Sequence, residues 1–239
     1  MKMSLTIAAA TCLAGSSLAM ADSADVRYLG VGQGRTVKFD LAGERVNVFA
    51  GQLRHEVSNG TGRAARLQGE ILTYCTDLLE YVSNQTGRFD LVKAQDAPAS
   101  PMGAVRADAL HDLYAFAGGL QNARSVDRDF AAAFQLAVWE IVYDFDGNVG
   151  RSSLDIEGGD FAAFKTNGQT LSSDIRDHLS DLFDAVGMMG HRSSGLGLYA
   201  LVNDGKQDQL VEMATVPLPG AAALGFAGLA GVAGVRRRR

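Results

Sequence analysis

The sequence predicts an α+β fold, an antiparallel β-sandwich-like body carrying a helical insertion of about three helices. Three observations predict it. Short alternating runs occupy residues 27–57 and 66–75, the hydrophobic period becomes helical between about 104 and 186, and two alternating runs return near the end around Asn203-Asp204-Gly205. Strands drawn from both ends of a domain, with helices from its middle, form one sheet body with helices packed on it.

The runs VRYLGV, TVKFDL and RVNVFAGQLRHEV are separated by glycines and by Asp-Leu-Ala-Gly, so each reads as a strand. Asn59-Gly60 is a turn signal before the next strand, RLQGEILTYC, in which Leu67, Gly69, Ile71, Thr73 and Cys75 share one face. After Pro98 and Pro101, residues 104–120 set Leu110, Leu113, Tyr114 and Ala117 at helical spacing. A second helix is expected over about 126–143, capped by Ser125, with Asp127 and Asp129 in its first turn. Its inward stripe is Val126, Phe130, Phe134, Val138 and Ile141; Gln135 lies beside that stripe, one turn before Trp139. A third helix, about 171–186, buries Leu171, Ile175, Leu179, Leu182, Phe183 and Val186. GLGLYALV and QLVEMATV then pair as strands.

Both ends read as sorting labels. Lys2, the small and apolar stretch Leu5–Leu18 and the pattern Ala19-Met20-Ala21 make residues 1–21 a secretory signal cut after Ala21; a lipoprotein signal at Cys12 fits less well, because Thr11 precedes it. Residues 22–215 form one domain. Residues 216–239 run VPLPG, an apolar stretch short for a membrane span, then Arg236–Arg239 as a positive stop. This order resembles the PEP-CTERM sorting tails of the VPLPA type, with Gly220 where alanine is usual. The resemblance implies an exosortase-type membrane protease as partner, acting through Pro217, Pro219 and Arg236–Arg239, and a transient or retained anchor at the cell surface.

With Lys2 and the four terminal arginines set aside, 17 basic residues face 27 acidic ones in the mature part, a balance of −10. That balance argues against nucleic acid and anionic lipid as partners. Cys12 leaves with the signal, so Cys75 has no disulfide partner within the mature chain.

Phe49-Ala50-Gly51-Gln52, Thr73-Tyr74-Cys75-Thr76-Asp77 and Phe134-Gln135-Leu136-Ala137-Val138-Trp139-Glu140 together resemble the thioester domains of bacterial surface proteins, and Leu154–Phe161 extends the likeness. Thr76 stands where that family more often has an aliphatic residue. The resemblance implies a cross-link between the Cys75 thiol and the Gln135 acyl group, with Tyr74, Asp77 and Trp139 as the supporting pocket. It implies an amine-bearing surface or matrix partner, such as a protein lysine, and no cofactor. The chemistry suits the residue types: a nucleophilic sulfur attacks the carboxamide carbon, ammonia leaves, and a partner amine later displaces the sulfur. This is autocatalytic, single-use acylation and not enzymatic turnover.

The same residues admit other readings. A lone cysteine is ordinarily a small buried hydrophobe, which leaves a non-covalent structural or matrix protein as the alternative. His55, His111, His178 and His191 are too scattered for a zinc site or to select a base for Cys75, and read as surface or loop residues. Asp144-Phe145-Asp146-Gly147-Asn148, with Asp155 downstream, has a misplaced glycine for a calcium loop and reads as a turn ending the helix.

Overall fold

A computed structural model describes residues 21–98, 102–187 and 196–214. The signal residues 1–20, His191 and the whole tail from 216 to 239 lie outside the described residues. Among the described residues, no helix is long and apolar enough to cross a membrane.

The strands are β1 (Ser23–Leu41), β2 (Glu44–Ser58), β3 (Gly69–Cys75), β4 (Gly87–Lys93), β5 (Phe161–Phe164), β6 (Leu196–Asn203) and β7 (Lys206–Ala214). The helices are α1 (Gly103–Ala117), α2 (Arg128–Tyr143) and α3 (Ser173–Ala185), with four short 3-10 segments between elements. All strand pairs are antiparallel, in the order β2-β3-β7-β6-β4-β1-β5. Because β1 also pairs with β2, six of the strands close into a flattened ring, and β5 adds to the far end of β1 through Lys38–Leu41. Closure satisfies the backbone groups that an open edge would leave to water.

The expected α+β body with three main helices is present, with local differences. The two runs expected as separate strands between residues 26 and 41 are one strand, bulged between Tyr28 and Gly30 and between Val31 and Gly34. Its glycines re-aim a continuous ladder and do not end it. At the second bulge Gly34 faces Gly51, both with positive φ, and a Cβ on either would meet the opposite backbone. Asn59 does adopt the left-handed conformation of a turn, but a 3-10 segment, Gly62–Leu67, intervenes before β3. Leu67 therefore leaves the face it was expected to share with Cys75 and packs with Ala64 into a small cluster that includes Val26, Phe89 and Val211.

The main core lies between the sheet and α2. From Ala131 to Val142 every residue of α2 is buried, because β1, β2, β3 and β5 pack against it with α1 and α3. A helix enclosed on all sides needs an all-round apolar surface with small residues at close approaches, which Ala131-Ala132-Ala133 and Ala137 supply. The cap is Asp127 and not Ser125: its carboxylate accepts the N–H groups of Asp129 (2.8 Å) and Phe130 (3.1 Å). Asp129 binds Arg35 of β1 through two 2.8 Å bonds, fixing the start of α2 against the ring.

Candidate functional site

Cys75 closes β3, and the backbone beyond it is held by two neighbours. Tyr74 and Cys75 pair with Leu210 and Gln209 of β7, and the Thr76 N–H continues that ladder to the Asp208 carbonyl at 3.1 Å. The chain then turns: the Asp77 carboxylate accepts the Leu79 N–H (2.7 Å), and the Leu78 N–H donates to the Tyr143 hydroxyl on α2 (3.1 Å). Gln207 donates to the Asp77 carbonyl (2.7 Å), tying the turn to β7 again.

Gln135 reaches the same point from α2. Its Oε1 accepts the Cys75 N–H at 3.0 Å, and its Nε2 donates to the Cys75 carbonyl at 2.8 Å. The carboxamide thus lies along the peptide of the cysteine that the sequence pairs with it, across 60 positions of chain. Gln135 is completely buried, inside the apolar face and not at its edge, because α2 is covered on that side too. Cys75 is 3% exposed, with a free thiol.

The predicted supporting residues divide by role. Trp139, one turn along α2 from Gln135, lies against the Cys75 sulfur, and its indole N–H is near enough to act on the thiol without meeting hydrogen-bond geometry to any acceptor. Tyr74 packs its ring on Phe134 (4.7 Å between centroids) and donates its hydroxyl to the Gln121 carbonyl (2.9 Å), so it holds the wall of the site. Asp77 shapes the turn after Cys75 and adds a negative charge nearby. Burial pushes the Cys75 thiol well up, with Asp77 acting in the same direction; Trp139 pulls the other way. The resting sulfur therefore carries its proton, because a dry pocket disfavours the anion.

Among the described residues, three buried side-chain donors have no hydrogen-bond partner. They are the Trp139 N–H, the Thr76 hydroxyl, and the hydroxyl of Tyr114, whose pKa is raised by burial and further by charge at Glu212. Orphaned donors are rare in protein interiors, and one of these, on Trp139, lies against the Cys75 sulfur.

Several residues of the site carry no motif signal strong enough to single them out. Gln52, within the quoted Phe-Ala-Gly-Gln segment, donates to the carbonyls of Gln121 (2.7 Å) and Ala123 (2.9 Å) and accepts the Gln33 N–H (3.1 Å), pinning the connection that leads into α2. Gln121 also donates to the Glu212 carboxylate, whose pKa burial pushes up to about 7. Thr73 of β3 donates to Gln209 Oε1 (2.8 Å) and meets the His55 ring at 3.0 Å. A buried polar residue on an alternating strand is the available clue for Gln52, Thr73 and Gln209.

The remaining candidates resolve structurally. His55 is buried against Tyr28 and Thr73, with its pKa lowered to about 4 by burial, and is not a surface residue. His111 and His178 stand on α1 and α3, not in loops, and His178 meets Phe130 edge-on. The Asp144 carboxylate accepts the N–H groups of Asp160 (3.0 Å) and Phe161 (2.9 Å), and Asp146 accepts the Asn148 N–H (2.9 Å). Among the described residues, no group of three or more His, Cys, Asp or Glu is placed to hold a metal.

No protein-family model matches the chain, and no curated protein matches it. Among solved structures, it is similar to the N-terminal thioester domain of a surface protein from Clostridium perfringens, over 74% of this chain and 97% of that one, at 14% identity and a TM-score of 0.38. At that level the similarity assigns no residue a role.

Proposed function

We propose that this is an exported surface or matrix domain in which Cys75 and Gln135 join as an internal thioester that acylates an amine on a partner. The observation that carries the reading is the pair of hydrogen bonds placing the Gln135 carboxamide along the Cys75 peptide, 3.0 and 2.8 Å, inside a dry core. In the forming step the Cys75 sulfur attacks the Gln135 carboxamide carbon. The C–N bond breaks, and the thiol proton leaves with nitrogen as ammonia, so no free thiolate has to persist. Burial then protects the product, since excluded water cannot hydrolyse it. The Trp139 N–H, which lies against the Cys75 sulfur, is a donor available to the acyl group. Attachment to a partner, export through the N-terminal signal and handling of the C-terminal tail by an exosortase-type protease complete this reading.

One observation favours the non-covalent structural alternative: Gln135 already satisfies both ends of its amide on Cys75, as an inert buried glutamine must. Intact mass of the purified mature chain separates the two. The thioester reading expects a mass lower by one ammonia, raised by one methylamine on incubation with that amine, and a full mass in Cys75→Ala. A full mass in the wild-type chain, with a thiol that alkylates on denaturation, overturns it in favour of the scaffold.

A further inference from the structure

We propose that the apolar groove leading to Cys75 is a docking site for a lysine-bearing peptide segment whose sequence neighbours are apolar, with Glu44 and Glu80 drawing in the ammonium. The covalent outcome of docking rests on the thioester reading above; the docking itself does not.

The groove encloses about 350 Å³, within the range of ligand pockets. The β1–β2 hairpin forms one wall with Val31, Val46 and Phe49, and the segment after Cys75 forms the other with Leu79, Tyr81 and Val82. Cys75 is part of the lining yet only 3% exposed, so it stands at the bottom. The rim is unusually apolar: Val31 is 47% exposed, Val46 44%, Leu79 68% and Tyr81 82%. These are four of the eight large hydrophobic residues that stand exposed among the described residues, and they converge on a groove that reaches the nucleophile. A concentrated apolar rim marks a surface meant to be covered, which scattered exposed residues do not.

Charge selects the occupant. Glu44 and Glu80 are the charged residues of the lining; no lysine or arginine contributes to it. Asp77 and Asp204 both act on Glu80, whose carboxyl is pushed up first by burial and then by these two charges. No cation among the groove's lining residues answers these acids, and a primary alkylammonium is both the complementary charge and the amine the chemistry requires. An acidic segment would be repelled and a wholly polar one would leave the rim exposed.

With a thioester present, the neutral amine attacks the Gln135 acyl carbon, the C–S bond breaks and an amide forms. Of the two protons the ammonium gives up, one goes to the Cys75 sulfur and the other leaves through the Glu80 carboxylate to water.

The test compares Ac-Leu-Lys-Leu-NH2, Ac-Glu-Lys-Glu-NH2 and methylamine on the mature chain, read by intact mass over time. The leucine-flanked peptide is expected to add at least about tenfold faster than the glutamate-flanked one, given the apolar area it buries. Leu79→Ser and Tyr81→Ser are each expected to lower the ratio of peptide rate to methylamine rate by about as much. Glu80→Gln is expected to lower it less and to weaken its dependence on salt. Equal rates for both peptides overturn the docking site while a methylamine adduct leaves the thioester standing. If no adduct forms with any amine, the thioester reading fails, and docking is decided on Cys75→Ala protein: amide shifts induced by Ac-Leu-Lys-Leu-NH2 and confined to the neighbourhood of Val46, Leu79 and Tyr81 support it, and their absence overturns it. A covalent dimer forming without added peptide makes a second copy the occupant and also overturns it.

Discussion

At Cys75 two demands conflict. A sulfur that must attack a carboxamide works best as a thiolate, yet burial holds this thiol protonated. The conflict eases if the proton moves to the departing nitrogen in the same step, because no isolated charge is then formed in the core. Trp139 matters here through its N–H, the unpartnered donor against the sulfur. Replacing Trp139 with Phe keeps the aromatic bulk against Phe161 and removes that donor. The variant is expected to lose about 2 kcal/mol of stability from the vacated volume. It should also form the cross-link about tenfold or more slowly, as loss of one preorganised donor does. Time-resolved mass after refolding measures the rate, and thermal unfolding measures the stability. A variant that forms the ammonia-deficient species at the wild-type rate assigns the indole N–H no part in the step.

At the scale of elements, the site depends on the axial position of α2 against the end of β3. Asp127 caps the helix and Asp129 clamps it to Arg35, so both set where Gln135 falls. Asp127→Ala is expected to cost about 1 kcal/mol, the usual worth of a cap, seen as a lower denaturation midpoint with an unchanged slope. The sequence made the helix legible through its hydrophobic period, and it pointed to the Cys75–Gln135 pair only through the resemblance carried by Thr73–Asp77 and Phe134–Glu140. It did not reveal which residue caps the helix, since Ser125 and Asp127 are both good caps and only the path of residues 121–126 decides. That path is fixed by Gln52, from a strand about 70 residues earlier, and no local pattern reports such a bond. Nor could alternation show that the glycines of β1 are bulges: a bulge and a strand break read alike until the partner strand is known to continue.

Across the whole molecule, the buried polar groups give the fold a pH optimum. Glu140 is fully buried, accepts the Asp155 N–H through one oxygen at 2.7 Å and leaves the other unpartnered; burial pushes its pKa up to about 8. Glu212 and Asp208 are pushed up by burial to about 7 and 6. An acid with a folded pKa above its unfolded value binds its proton more tightly when folded, so its contribution is complete below the unfolded pKa and is lost as pH rises through the folded one. For Glu140 the window runs from the ordinary value of 4.5 to about 8. His55 acts on the opposite side: its pKa falls from 6.5 to about 4, so it is a neutral base in the core, and stability is lost as pH drops through that interval. Stability should therefore peak at mildly acidic pH and decline on both flanks. Glu140→Gln keeps a carbonyl oxygen for the Asp155 N–H and removes the charge that forms at high pH. It is expected to be about as stable as the wild type at pH 5 and more stable at pH 9, with the flatter alkaline limb measured by urea unfolding across that range. His55→Phe should flatten the acid limb and leave the alkaline one steep. If Glu140→Gln shows the wild-type fall between pH 5 and 9, the alkaline limb belongs to Glu212 and Asp208, and the buried glutamate of α2 keeps its charge by drawing water into the core.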